Sequence, residues 1–323
     1  MSAQDPALVV EGLTVRAQGL AHPLVHDVSF TVGRGEIAAL VGESGCGKTL
    51  TASGLLGPLA AGLQRTARVI RLAGNEITGL SEGALRTLRG RALGMVFQNP
   101  MSALNPSLTL GEQIGEVLRV HTGARGAPLE REAARLLACV EIPDPERALA
   151  SYPHQLSGGM RQRALLAIAI ACAPRLLIAD EPTTALDVLV QSQILALIAR
   201  LGAQTGMGVL FITHNLALAA QYADTVLVMY AGRLVEAAPA QAFFQGPRHP
   251  YSRALLAALP TLAARTAHRL PDIPGEAPAA HAIVNACAFA ARCPRADAVC
   301  RSQVPPLSGD THRFACFHPE ESS

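Results

Sequence analysis

Gly42-Glu43-Ser44-Gly45-Cys46-Gly47-Lys48-Thr49 reads G-x-x-x-x-G-K-T, the pattern of a phosphate-binding loop. The apolar run Ile37-Ala38-Ala39-Leu40-Val41 in front of it predicts a buried strand. The Ala- and Leu-rich stretch from Leu50 onward predicts a helix. Strand, glycine loop and helix is the context in which this pattern carries chemical meaning. Glycines let backbone N–H groups curl around an anion with no Cβ in the way, and the next helix aims its positive end at the same point. Lys48 is then expected at the β- and γ-phosphates of a nucleotide, with the Thr49 hydroxyl on Mg²⁺.

A second apolar run, Leu176-Leu177-Ile178-Ala179, ends in the carboxylates Asp180 and Glu181. Asp180 is placed to order Mg²⁺ through water, and Glu181 to polarise an attacking water. Val209-Leu210-Phe211-Ile212-Thr213 predicts another buried strand and ends at His214. Gly94-Met95-Val96-Phe97-Gln98 predicts a strand ending at Gln98, whose amide can reach a metal or a water. In an open α/β sheet, ligands gather at the carboxyl ends of the strands. Gln98, Asp180, Glu181, His214 and the loop are therefore expected to converge at one rim, which is a case for nucleotide hydrolysis.

The rest of the chain supplies a frame. Leu8-Val9-Val10, Leu13-Thr14-Val15 and Val28-Ser29-Phe30-Thr31-Val32 predict short strands of an edge sheet. Ser81 to Arg91, Gly111 to Val120 and Glu130 to Val140 have helical patterns, and the last two predict an inserted helical subdomain. Ser157-Gly158-Gly159-Met160 stands at a helix start, an arrangement that binds anions, with the helix expected over Ala164 to Cys172. Pro182 to Asp187 predicts a turn into a helix reaching about Leu201. Thr225 to Met229 and Gly232 to Val235 predict a closing hairpin.

Bulk properties narrow the partners. The chain has 323 residues, half of them hydrophobic, a formal charge of +2, 4% aromatics and no Trp. Neither a basic stripe nor a base-stacking surface is indicated, so no nucleic-acid partner is expected. Met1 to Pro6 is polar and lacks the features of a secretory signal. Leu201 to Ala223, the longest uncharged run, reads as strand, turn and helix rather than a membrane span. The expected location is cytosolic, or at a membrane through a partner.

Of seven cysteines, Cys46, Cys139 and Cys172 read as small packing residues, while Cys287, Cys293, Cys300 and Cys316 cluster near the end. In a chain with no signal peptide, such a cluster points to a metal before it points to disulfides. The spacing Cys-x5-Cys-Pro-x5-Cys-x15-Cys is wider than the paired cysteines of zinc ribbons. The alternatives are an iron–sulfur cluster, zinc, or free or oxidised thiols. His312 and His318 are spare ligand candidates that read better as surface residues.

Taken together, Gly42 to Thr49, Gln98, Leu156 to Met160, Asp180-Glu181, Ala185-Leu186-Asp187 and His214 resemble, in order and spacing, the ATP-binding subunits of ABC transporters. The resemblance implies an α/β fold: a P-loop ABC ATPase domain over residues 1–259, with a RecA-like core, an antiparallel β edge and a helical subdomain at about 99–165. A small Cys-rich extension would occupy 260–323. Family roles then follow by position. Gly42, Glu43, Ser44, Gly45, Cys46, Gly47, Lys48 and Thr49 would hold ATP. Thr49, Gln98 and Asp180 would hold Mg²⁺, and Glu181 would be the catalytic base. Gln98 would sense the γ-phosphate, His214 would be the switch histidine, and Asp187 the aspartate of the D-loop. Ser157, Gly158 and Gly159 would touch the ATP of an opposing subunit, which implies a head-to-tail dimer.

Two departures stand out. Met160 replaces the commoner Gln, a variant that occurs in the peptide-importer branch, and no aromatic lies near Ala17 to stack on adenine. Val96 to Pro106, His249 to Leu256, and Ile273-Pro274-Gly275 with the cysteine tail resemble the oligopeptide/dipeptide importer branch, which also includes nickel and glutathione importers. That branch implies a pair of transmembrane permease subunits, an extracytoplasmic solute-binding protein, a peripheral place on the cytoplasmic face of the membrane, and a [4Fe–4S] cluster on the four cysteines. A soluble ABC ATPase acting on ribosomes or DNA is the alternative. It would bring a second cassette or a long coiled-coil insertion, and neither is visible here.

Overall fold

A computed structural model describes residues 5–56, 59–97, 103–182, 187–259, 273–283 and 285–320. The chain opens with β1 (Leu8–Ala17), β2 (Val25–Val32), β3 (Ile37–Val41), α1 (Lys48–Leu56), β4 (Leu63–Thr66), β5 (Val69–Leu72) and β6 (Asn75–Glu76). The middle holds α2 (Glu82–Leu88), β7 (Leu93–Val96), α3 (Leu110–Thr122), α4 (Ala127–Cys139), α5 (Pro145–Leu149) and a 3-10 turn (Pro153–Gln155). Next come α6 (Gly158–Ile170), β8 (Leu176–Asp180), α7 (Val188–Thr205), β9 (Gly208–Thr213) and α8 (Leu216–Tyr222). β10 (Thr225–Tyr230), β11 (Arg233–Pro239), α9 (Ala240–Gln245), α10 (Pro250–Ala257), α11 (Ala298–Ser302) and β12 (Arg313–Phe314) complete it.

The chain forms two compact units and passes between them several times. One comprises Met1–Leu8, Val32–Glu36 and Leu72–Phe211. Its β7 and β8 pair in parallel, Leu93 against Leu176 and Val96 against Ala179. Every residue of β8 and β9 is buried, as apolar runs without alternation require when both faces are covered. The helices are well capped. Thr109 and Glu112 form a reciprocal capping box at the start of α3, and Gly123 closes it with φ 74°. Glu141 ties Arg163 of α6 at 2.7 Å and Arg200 of α7 at 2.6 Å.

The other unit comprises Val9–Thr31, Ile37–Arg71 and Ile212–Ser323. Its main sheet runs β12, β11, β10, β3. β10 is parallel to β3, with Thr225 opposite Ala38 and Val228 opposite Val41. β11 returns antiparallel to β10, with a register shift at Val228/Met229, and β12 pairs antiparallel to β11. β1 pairs antiparallel with β4, Thr14 opposite Thr66, which gives the expected antiparallel edge. β3 is wholly buried, and full burial of a Val, Leu or Ile side chain contributes about 1.5–3 kcal/mol.

Three expectations shift. The two short strands read at the start are one, because Gly12 takes φ 69° within β1 and the chain continues through it. The helix expected over Ala164 to Cys172 is α6 and begins at Gly158: Ser157 accepts from the Met160 N–H and caps it early. The helix after Asp187 runs to Thr205, capped at its start by the Asp187 carboxylate. No helix of the described residues is long and apolar enough to cross a membrane.

Candidate functional site

The phosphate loop leaves the buried end of β3 and enters α1 directly at Lys48. Two glycines explain its course. Gly42 has φ 153°, and a Cβ there would meet Met229 O at 2.2 Å. Gly47 has φ 103°, with the Met229 methyl 3.0 Å from where its Cβ would be. The loop is thus pressed against β10, and only residues without a side chain allow it. Gly232 N–H donates to Cys46 O at 2.9 Å, and the Thr51 hydroxyl donates to Gly47 O at 2.9 Å. Lys48 is buried, and its ammonium donates to Gly42 O at 2.9 Å and Glu43 O at 3.0 Å. Ser44, Gly45 and Thr49 are exposed. Cys46 is buried beside Lys48, and burial pushes its thiol up from the ordinary range.

Among the described residues, the other predicted ones stand at strand ends and helix starts. Asp180 is buried at the end of β8. Glu181 follows with φ 44°, a left-handed conformation that a residue with a Cβ holds at a cost of about 1–3 kcal/mol. Such strain concentrates at functional positions. Ser157 and Gly158 stand exposed at the N-terminus of α6, and Asp187 caps α7 by accepting from Val190 N–H at 3.0 Å. His214 is exposed immediately after β9. The loop behind it is stiffened where Thr213 Oγ1 accepts from Asn215 N–H at 2.9 Å and Asn215 caps α8. Gln98, Ala185 and Leu186 lie outside the described residues.

Sequence reasoning missed the groups that hold the loop from behind. The Tyr251 hydroxyl of α10 accepts from Glu43 N–H at 2.9 Å, and burial drives its phenol far above the usual range. Tyr251 packs at a tilt against Tyr230 and Phe289, at centroid distances of 4.5 and 5.4 Å. Arg292 forms an ion pair with Glu43 at 2.7 Å. The resemblances of His249 to Leu256 and of the cysteine tail signalled these segments, but no local pattern linked them to the loop.

Cys287, Cys293, Cys300 and Cys316 all line one small cavity, together with His249, Phe289 and His318. None is in a disulfide. Cys287 N–H donates to Cys300 O at 2.9 Å, which draws the two segments together. Burial raises the thiols of Cys287 and Cys293, and pushes Cys316 up to about 11. A cation bound among the four would stabilise the anionic form that burial disfavours at Cys287, Cys293 and Cys316. In donor chemistry, four free thiols lining one cavity suit a soft metal group. Ligand atoms of Asp297, Cys300 and His318 also lie within 4.8 Å of one another, where Asp297 caps α11 and pairs with His318 at 2.9 Å. His318 makes this pair at the surface, with both side chains exposed. His312 Nε2 lies 2.6 Å from the fully buried carboxylate of Glu236.

A phosphate loop between a buried parallel strand and a helix is the arrangement of a P-loop nucleotide-binding protein. The comparisons with known proteins give the branch. Residues 25–184 match the model of the ABC transporter family, and 235–300 match the oligopeptide/dipeptide transporter C-terminal region. A putative peptide import ATP-binding protein of Brucella abortus (strain 2308) is 44% identical over 335 residues, spanning 99% of each chain. The dipeptide transport ATP-binding protein DppD of Escherichia coli (strain K12) is 43% identical, spanning 91% of this chain and 90% of its own length. Among solved structures, cbiO1 of Clostridium perfringens, part of an ABC transporter complex, superposes with a TM-score of 0.65 at 25% identity over 74% of this chain and 91% of that one. This chain belongs to the ABC transporter ATP-binding subunits of the oligopeptide/dipeptide branch, and it is an ATPase.

Proposed function

We propose that this protein is the ATP-hydrolysing subunit of an importer that carries dipeptides, oligopeptides or similar small solutes across the cytoplasmic membrane. The observation that carries the reading is the union, in one chain, of an ABC core at 25–184 and the oligopeptide/dipeptide C-terminal region at 235–300. Lys48 and the loop amides bind the phosphates of ATP. Thr49, Asp180 and Gln98 would hold Mg²⁺, which would supply positive charge at the nucleotide phosphates. Glu181 acts as general base toward the attacking water, and His214 contacts the γ-phosphate. Ser157, Gly158 and Gly159 read the nucleotide of a second ATPase subunit in a head-to-tail dimer, beside Asp187. The dimer drives a pair of membrane permeases through the segment after Gln98, and an extracytoplasmic solute-binding protein delivers the solute. The protein sits peripherally on the cytoplasmic face.

The four-cysteine cavity is proposed to hold a [4Fe–4S] cluster, with zinc as the competing occupant. Anaerobic purification tests this directly: iron and sulfide in stoichiometric amounts with a visible charge-transfer band support the cluster, and colourless protein with stoichiometric zinc rejects it. For the transporter reading, the tagged chain is purified from its native membranes in mild detergent and its companions identified by mass spectrometry. Multi-span permeases, with or without a second ATPase, are expected. Recovery from the soluble fraction with ribosomal or DNA-repair proteins would reject transport and leave the ATPase chemistry standing.

A further inference from the structure

We propose that Arg292 is a positioning residue for the phosphate loop, through which the C-terminal tail sets the loop's affinity for MgATP. The inference rests on the nucleotide-binding reading above.

Arg292 immediately precedes Cys293, yet its guanidinium reaches the phosphate loop, 249 positions away in the chain. Nη1 and Nη2 donate to the two carboxylate oxygens of Glu43 at 2.7 and 3.1 Å. A bidentate pair of this kind fixes direction as well as distance. The remaining donors are used on the tail and the sheet. Nε donates to Pro274 O at 2.9 Å, Nη2 to Ile273 O at 2.9 Å, and Nη1 to the Tyr230 hydroxyl at 3.2 Å. The side chain is only 6% exposed, so this is no surface ion pair of negligible consequence.

Glu43 is the joint. Its carboxylate is held by Arg292, its N–H by Tyr251, and its carbonyl accepts from Lys48 Nζ at 3.0 Å. Moving Glu43 therefore moves an anchor of the lysine that binds phosphate. Other tail fastenings do not share this property. Arg253 pairs with Glu320 at 2.9 Å, a contact that includes no loop residue. Coupling of this kind is reciprocal: if the tail favours the nucleotide-binding shape of the loop, nucleotide must favour the docked tail by the same factor.

The test uses the purified full-length chain and the fluorescent nucleotide mant-ATP with Mg²⁺. Wild type is compared with Glu43→Ala, Arg292→Ala, Arg292→Lys and Arg253→Ala. Glu43→Ala keeps every tail-side bond of Arg292, so the ion pair is read even if Arg292→Ala loosens the tail. Glu43→Ala and Arg292→Ala are expected to raise the Kd about five- to tenfold. Arg292→Lys should recover part of the loss through a single-point contact, and Arg253→Ala should leave the Kd unchanged. Hydrogen exchange over residues 285–320 should slow on adding MgATP in wild type and not in Glu43→Ala. Wild-type Kd in both Glu43→Ala and Arg292→Ala would overturn the proposal, as would an Arg253→Ala loss equal to that of Arg292→Ala. A wild-type protein that fails to bind mant-ATP would instead overturn the nucleotide reading on which the proposal stands.

Discussion

The phosphate loop and the cysteine tail belong to the same compact unit and are built on opposite principles. The loop is made of backbone: glycines at special φ, amides at a helix start, and carbonyls that hold Lys48. The tail has only one short helix and one two-residue strand among its described residues, and is pinned by side chains. Glu236, fully buried, receives Arg248 N–H at 2.6 Å and His249 N–H at 2.9 Å and faces His312 at 2.6 Å. Arg292 and the Tyr230, Tyr251 and Phe289 rings add further side-chain contacts. A backbone-built site is announced by its own residues in a row. A side-chain-pinned one depends on partners scattered through the chain.

The largest separation of chemistry from architecture should come from Glu181→Gln. Turnover is expected to fall about 10²- to 10⁴-fold with MgATP binding retained. Steady-state phosphate release and nucleotide titration check both halves, and normal turnover would remove Glu181 from the role of base. Next, Glu236→Ala should loosen the tail, and nucleotide affinity should fall with it because Arg292 couples the tail to Glu43. Losing the partner of buried donors and a facing histidine should destabilise the unit by about 3–5 kcal/mol. Denaturant midpoints and limited proteolysis between residues 300 and 320 read it, and an unmoved midpoint would mean the pin is idle. Lys48→Ala is the mirror case: tight nucleotide binding is lost, and the tail's protease resistance stays at the wild-type level. A control outside both regions is Thr109→Ala, which breaks the capping box of α3 and should cost about 1 kcal/mol by urea denaturation, with no change in nucleotide affinity.

The same contrast explains what could be read from the chain. β3, β8 and β9 are unbroken apolar runs, so the strands and the residues at their ends were legible as a set. β4 and β5 were not, because each has only four residues and mixes polar with apolar ones. The start of α6 was obscured by two glycines of low helix propensity, although Ser157 carried the cap signal. The four cysteines were legible as a cluster, and the cavity they line agrees with it. Glu236, Tyr251 and Arg292 carried no local signal. Glu43 lies 208 positions from Tyr251 and 249 from Arg292, so the contacts exist only once the chain has folded.

Cys46 turns the loop into its own reporter for covalent labelling. Its thiol is buried, pressed toward Gly42 and pushed above the ordinary range, so little thiolate is present at neutral pH to meet an electrophile. A maleimide must wait for the loop to open. The alkylation rate at this sulfur is then a clock for how often the loop breathes, readable one residue at a time.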